Sequence, residues 1–500
     1  MRIAALVILA LLASASCRPA RAADPPPGVT TYHADAARSG RYVVPGLTWA
    51  RAATARPVAG FDGRVQGHVY AQPLYWRPPG AAHGRLIVVT EDDAVQALDA
   101  GSGRETWRRV VGRPVSRDAL PCGDIGPLGI TGTPVIDAAT GTLYLDAMVA
   151  GGRGPRHLVY ALSLADGAVR PGWPVDVAAG LRAQGLAFDP RVQNQRGALT
   201  LADGRLFVPF GGHFGDCGAY HGWVVGLRTD RPGVFGAWRT AARKGGIWAV
   251  GGLAFVGHAL FAATGNTDGA RRWGGGEAII RLPPDLRWQP GPGSFFAPGN
   301  WRDLDESDRD LGGTNPLPID LPAGGPGAAL LLAMGKDGNA YLLDRTRPGG
   351  IGHALAVRSV AEGQIITAPA AYRLGGAVMV AFQARGIACP GGAQDAGLAA
   401  LRITAPAGLQ VAWCAKLDGR GAPAVTTTDG TGQPIVWVAG AEGDDMLHGF
   451  RGDTGVPVTD GGGARMAGVR HFATVLAAEG RLYVAGDGRV FAFGFGKDGH

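Results

Sequence analysis

Residues 95–107 read VQALDAGSGRETW. A short apolar run ends in Leu98 and Asp99, a glycine-rich turn follows, and the next run reaches Trp107. Asp and Gly tolerate the backbone of a tight reversal, so the stretch reads as strand, turn, strand. The anchoring residue recurs. VYALS (159–163), VVGLR (224–228), IIRLP (279–283), AYLLD (340–344), LAALR (398–402), LHGFR (447–451) and VFAFG (490–494) repeat the pattern, with Leu or Phe at 98, 162, 227, 282, 343, 401, 450 and 493. Five copies have a Trp a little downstream: Trp107, Trp173, Trp238, Trp288 and Trp413.

Each copy is preceded by a second strand–turn–strand pattern, such as GTLYLDAMV before the second and GRLYVAG before the last. A unit is therefore four short strands joined by hairpins. One such sheet cannot bury both its faces, but eight arranged radially can, and closure removes exposed edges. The expectation is an all-β fold: an eight-bladed β-propeller of four-stranded antiparallel blades over residues 46–500. The motif is the third strand of its blade. Small residues at 97, 161, 226, 400, 449 and 492 let sheets approach, and the Trp on the fourth strand packs between blades. The last copy lacks a following strand, so TWARAATARPVAG (48–60) is expected to supply its outer strand and close the ring.

Composition agrees. Glycine is 83 of 500 residues and charged residues only 18%, as many tight turns and few solvated helices would give. MRIAALVILALLASAS followed by ARA at 20–22 reads as a signal peptide over 1–22, with 23–45 a short extension. Cys17 is an alternative lipid-attachment point. Removing Arg2, Arg18 and Arg21 lowers the formal charge from +7 to +4 with no basic cluster, which argues against nucleic acid as a partner. No other stretch is long and apolar enough for a membrane span. The remaining cysteines, Cys122, Cys217, Cys389 and Cys414, suit two disulfides in an exported protein. Three pairings are formally open. Cys389 with Cys414, which flank one strand pair, and hence Cys122 with Cys217, is the expected one.

The stretch ALDAGSGRETW resembles the tryptophan-docking repeat of quinoprotein alcohol dehydrogenases and their PQQ-binding-like relatives, and the resemblance runs over about residues 46–500. It implies the propeller fold. It also implies a site. GGIWAVGG places Trp248 as a floor for a quinone ring, and ATGN places Asn266 as a calcium ligand. DLGGTN places Asp310 as a catalytic base, and GKDGNAYLLD places Lys336 against the quinone oxygens. A flat quinone needs an aromatic sandwich, its acidic oxygens a hard cation, and a hydroxyl substrate a carboxylate to take its proton.

The sequence departs from the family pattern in three places. No adjacent Cys-Cys pair is present, so Cys122 and Cys217 would have to roof the cofactor together. The third-blade region reads GGHFGDCG, with His213 and Asp216 where the family has a calcium-binding Glu. No C-x-x-C-H haem motif occurs. HFGDCGAYH also spaces His213, Cys217 and His221 four apart, but a zinc site there would need a free thiolate and a fourth ligand. Two functions follow as expectations: an exported scaffold binding a small molecule or an envelope protein through a degenerate quinoprotein site, or a PQQ- and calcium-dependent dehydrogenase of an alcohol or sugar. No cofactor is expected under the first.

Overall fold

The computed structural model describes residues 28–322, 324, 327–392 and 395–496. The segment read as a signal peptide (1–22), with Cys17, and the start of the expected extension lie outside the described residues. Eight small sheets form a ring, and each is a meander in which the sequence motif is the third strand. These third strands are Ala94–Asp99, Arg156–Ser163, Trp223–Arg228, Ala278–Leu282, Asn339–Asp344, Leu398–Thr404, Leu447–Arg451 and Arg489–Gly494. They are almost wholly buried, because each is covered on both faces by neighbouring sheets.

The opening motif is explained by what lies on its turn. Gly103, Gly167 and Gly455 close the Asp-x-x-x-Gly or equivalent turns in the left-handed region, with φ of 73°, 72° and 72°. A Cβ on Gly167 would lie 2.8 Å from the Trp107 ring, and one on Gly455 2.5 Å from the Trp413 ring. The indole of one blade therefore rests on the bare turn of the next. Its N–H completes the contact: Trp107 Nε1 donates to Leu164 O (3.1 Å) and Trp413 Nε1 to Gly452 O (2.8 Å). In both blades the pairing of third and fourth strands slips between the small residue and the anchoring Leu, at Ala97/Leu98 and Ala400/Leu401. Such a bulge re-aims the side chains that follow it. Trp173 and Trp288 depart from the expectation. Trp173 lies just ahead of Val175–Asp176, and Trp288 lies in the loop before Phe295–Ala297, where it packs edge-on against Trp238 at 5.9 Å.

Ring closure uses residues 48–60, but not as one strand. Trp49–Ala52 is a short helix capped by Thr48, and only Arg56–Pro57 pairs with Arg489–Gly494 as the outer strand of the last blade. Phe61 then takes the place of the docking indole, since a Cβ on Gly103 would meet its ring at 2.9 Å. Glu479, in a hairpin turn of the last blade, latches the seam from the other side. Its Oε1 accepts from Tyr75 Oη (2.8 Å), Arg77 (2.9 Å) and Gly84 N (2.7 Å), and its Oε2 lies 3.0 Å from His83 Nδ1.

Residues 28–44 form a strap across the centre of the ring. Gly28–Val29 adds to the first blade and Arg41–Val43 runs parallel to Ala424–Thr427 of the seventh. Between them Arg38, fully buried, donates to Leu253 O (2.9 Å), Leu199 O (2.9 Å) and Thr200 Oγ1 (2.7 Å). Ile136, Phe255 and Ala371, on the inner strands of three blades, donate backbone N–H groups to Thr30, Ala36 and Ser39. The disulfides are Cys122–Cys217 and Cys389–Cys414, the expected pairing.

Gly455→Ala should cost about 2–4 kcal/mol in urea unfolding, from left-handed backbone strain plus the indole clash. Gly480→Ala, at φ 70° with open space around it, should cost only the backbone part, about 1–2 kcal/mol.

Burial alone would raise the Glu479 carboxyl, but Arg77, the Gly84 N–H, Tyr75 and His83 outweigh it and hold the group at about 2. A depressed carboxyl stabilises the fold above its unfolded value and loses that contribution as pH falls toward the folded value. Melting measured from pH 5 to pH 2 should fall more steeply in the wild type than in Glu479→Gln.

Candidate functional site

In every blade the inner strand starts at one end of the ring and the second strand returns to it. Loops that enter the inner strand therefore meet loops that join the second and third strands. The contact repeats: Glu91 N donates to His68 O (3.0 Å), Gly265 N to Gly246 O (3.0 Å), Lys336 N to Asp310 O (2.8 Å) and Asp487 N to Gly468 O (2.9 Å). The candidate site is the fifth-blade copy of this contact with its fourth-blade neighbour.

Trp248, Asn266, Asp310 and Lys336 converge there. Asp310 is 2% exposed. Its Oδ1 accepts from Asn266 N (2.7 Å) and its Oδ2 lies 2.5 Å from Lys336 Nζ. Lys336 also reaches Asp308 Oδ1 (3.0 Å), and its Nζ stands 5.3 Å above the Trp248 ring. Gly265 is required at the centre, because a Cβ would lie 2.7 Å from Asp310 Oδ1 and 3.1 Å from Trp248 Nε1. Burial pushes the Asp310 carboxyl up, opposed by Lys336 and the Asn266 N–H. Burial alone would lower Lys336, but Asp310 and Asp308 outweigh it and hold the ammonium charged above its usual range. Asp310 is thus a buried, paired group, so its replacement is not structurally silent as an exposed loop residue's would be.

Glu277 is a member that motif reading passed over. It is fully buried at φ 47°, just before the third strand, where the fifth and last blades place Gly338 and Gly488. Its Oε2 accepts from Leu311 N (2.6 Å), which fixes the turn that follows Asp310. Burial, with Asp310 nearby, pushes its carboxyl well above the usual range. Aligning the repeats would have shown it: an acid stands where the turn favours glycine. Asp305, which accepts from Thr267 N and Oγ1 (2.8 and 2.6 Å), belongs to the same loop cluster.

The Cys122–Cys217 bridge fixes the rim at this end of the ring. Beside it, Tyr220 Oη donates to Asp216 Oδ1 (2.5 Å), and the Tyr220 ring packs on Gly212 and Gly246, two residues before Trp248. His213 is buried, with Nε2 unpartnered, and burial lowers its ring to about 4, so it is neutral.

These donors do not form a calcium set. Both Asp310 oxygens are already engaged, His213 is a neutral imidazole, Asp216 Oδ1 accepts from Tyr220 and Glu277 Oε2 from Leu311 N. Among the described residues Glu277 Oε1 is thus the one buried carboxylate oxygen without a partner here, and Asn266 contributes a single amide. A hard cation of this kind takes six to eight oxygens. Among the described residues no group of three or more His, Cys, Asp or Glu is placed to hold a metal ion. A separate small cavity, lined by Tyr32, Tyr70, Arg196, Val250 and Phe472 and by none of the four site residues, measures about 10 Å³, room for one water.

Solved structures share the whole architecture. The quinohemoprotein alcohol dehydrogenase of Pseudomonas putida HK5 superposes with a TM-score of 0.65 at 13% identity, covering 94% of this chain and 80% of that one. The quinohemoprotein alcohol dehydrogenase of Comamonas testosteroni gives 0.63 at 15%, covering 95% and 82%. The fold is that of the quinoprotein alcohol dehydrogenases. BamB of Moraxella catarrhalis is also similar, at a TM-score of 0.51 and 16% identity over 88% of this chain and all of that one. No protein-family model matches the chain, and no curated protein matches it in sequence. At these identities the likeness extends to the quinoprotein propeller fold and not to activity. Among the described residues no helix is long and apolar enough to cross a membrane.

A double-mutant cycle of Asp310→Asn and Lys336→Met should give a coupling of at least about 1 kcal/mol in unfolding free energy, because each single variant leaves a buried partner unmatched.

Proposed function

We propose that this chain is an exported ligand-binding propeller whose quinoprotein site keeps its aromatic and acid–base residues and has lost its metal centre. The observation that carries this reading is the engagement of Asp310. One carboxylate oxygen is held by the Asn266 N–H and the other by the Lys336 ammonium, so neither is free for a metal ion. A largely buried charged pair beside a partly exposed aromatic ring suits recognition of a polar small molecule by hydrogen bonds and stacking. Two disulfides fit an oxidising compartment and support export. The likeness to BamB supports a protein partner as a second kind of ligand.

A second reading, PQQ- and calcium-dependent oxidation of an alcohol or sugar, is favoured by one observation: Trp248, Asn266, Asp310 and Lys336 stand together, as the family resemblance requires. Under that reading bound PQQ would supply a two-electron acceptor. The chain's own residues would orient substrate over Trp248, with Asp310 receiving the hydroxyl proton and Lys336 stabilising negative charge.

Incubation with PQQ and Ca²⁺, then desalting and absorbance, separates the two. The binding reading predicts no retained quinone and no alcohol-dependent dye reduction. Stoichiometric retention that depends on Ca²⁺ and is lost in Lys336→Ala would overturn it in favour of the dehydrogenase.

A further inference from the structure

The strap and the interblade loops meet on the ring axis around the cavity of about 10 Å³, lined by Tyr32, Tyr70, Thr133, Arg196, Val250 and Phe472. Two of its polar groups are unspent. Tyr32 is 2% exposed, and its hydroxyl has no hydrogen-bond partner. Leaving a buried hydroxyl unpaired is costly. The strap nevertheless holds it there, through His33 N on Gln72 Oε1 (3.0 Å) and the stacking of Tyr32 on His33 at 4.3 Å. Arg196 lies over the Phe472 ring at 4.6 Å. Among the described residues no oxygen accepts a hydrogen bond from its guanidinium and no carboxylate is within ion-pair distance. Asp124 and Glu91 act on it only at longer range. Its neighbour Arg470, by contrast, is fully engaged, by Asp487 (2.8 and 2.5 Å) and Tyr70 Oη (2.7 Å).

Phe472 adds a third costly feature. It is a bulky residue held at φ 69°, a conformation that persists only where surrounding structure fixes it. Here the fixing contacts are Phe472 N on Arg420 O (2.9 Å) and His471 on Glu442 (2.5 Å). An unpaired guanidinium, an orphan phenol and a strained aromatic support meet at one small space. Their donors have a common complement: a compact negative charge. The cavity's size restricts that charge to a halide or one end of a carboxylate.

We infer that the axial cavity is a small-anion site in which Arg196 and Tyr32 clasp the anion, taken as a free halide or as the carboxylate end of an organic acid. The site deepens the ligand-binding reading of this end of the ring. Its test uses neither quinone nor calcium, so the two can fail separately.

Purified protein in a bulky-sulfonate buffer at fixed ionic strength is titrated with sodium chloride and with sodium acetate, followed by melting temperature and calorimetry. At least one anion should raise the melting temperature saturably. Arg196→Gln should weaken that anion by at least about tenfold, the size of effect expected for a lost charge-assisted contact. Tyr32→Phe should weaken it several-fold while melting no lower than the wild type in sulfonate alone, because it deletes only an unpaired hydroxyl. Tighter chloride identifies a free inorganic ion, and tighter acetate the carboxylate of an organic acid. Should Arg196→Gln fail to fold, Arg196→Lys keeps the charge without the fork and should weaken acetate more than chloride. Anion effects that are unsaturable, or equal in wild type and Arg196 variants, would overturn the proposal.

Discussion

Close packing of one blade's aromatic ring on the turn of the next, most directly an indole resting on a glycine, is the contact on which the ring depends. The Trp of one blade fits the next blade only because the turn there carries no Cβ, and that turn exists only because glycine accepts a positive φ. The contact joins two pairs of blades, Trp107 on Gly167 and Trp413 on Gly455, and other aromatic packing such as Trp238 against Trp288 serves elsewhere, so the propeller is stabilised blade to blade more than through one central core. Where the chain ends meet, the contact has to be rebuilt from other parts. Phe61 replaces the indole, Arg56–Pro57 replaces the fourth strand, and Glu479 ties the seam.

Radial repetition also makes the functional end. Identical loop-to-loop hydrogen bonds occur around the ring, so a change of side chain at equivalent positions yields different chemistry on the same backbone. The position that carries Lys336 in the fifth blade carries buried Glu91 in the first. The position that carries Asp310 carries His68 in the first blade and Gly246 in the fourth. The strap then closes the centre beneath these loops, and the end with converging side chains becomes a bowl instead of a pore.

The repeat was legible because its period, its turn glycines and its tryptophans all follow from local chemistry. Trp248, Asn266, Asp310 and Lys336 were legible because they stand at family-like offsets from those repeats. Three things were not. Residues 28–44 have no strand periodicity, since the strap is held by single backbone bonds and by buried Arg38 rather than by an alternating face. Glu277 carries no motif and shows itself only as an exception to a turn rule. Arg196 and Tyr32 are 164 residues apart and meet only because the strap crosses the axis. The helix at Trp49–Ala52 was missed because Thr48 caps a single turn inside a segment otherwise read as extended.

The account stands on Asp310 being spent on Lys336 and the Asn266 N–H, which leaves too few free oxygens for a metal. Terbium luminescence sensitised by Trp248 tests this directly, since Tb³⁺ favours the oxygen ligands that Ca²⁺ uses. The expected result is weak, unsaturated emission, indifferent to Asn266→Ala. Stoichiometric, saturable emission abolished by Asn266→Ala would contradict it and restore a metal centre at this site.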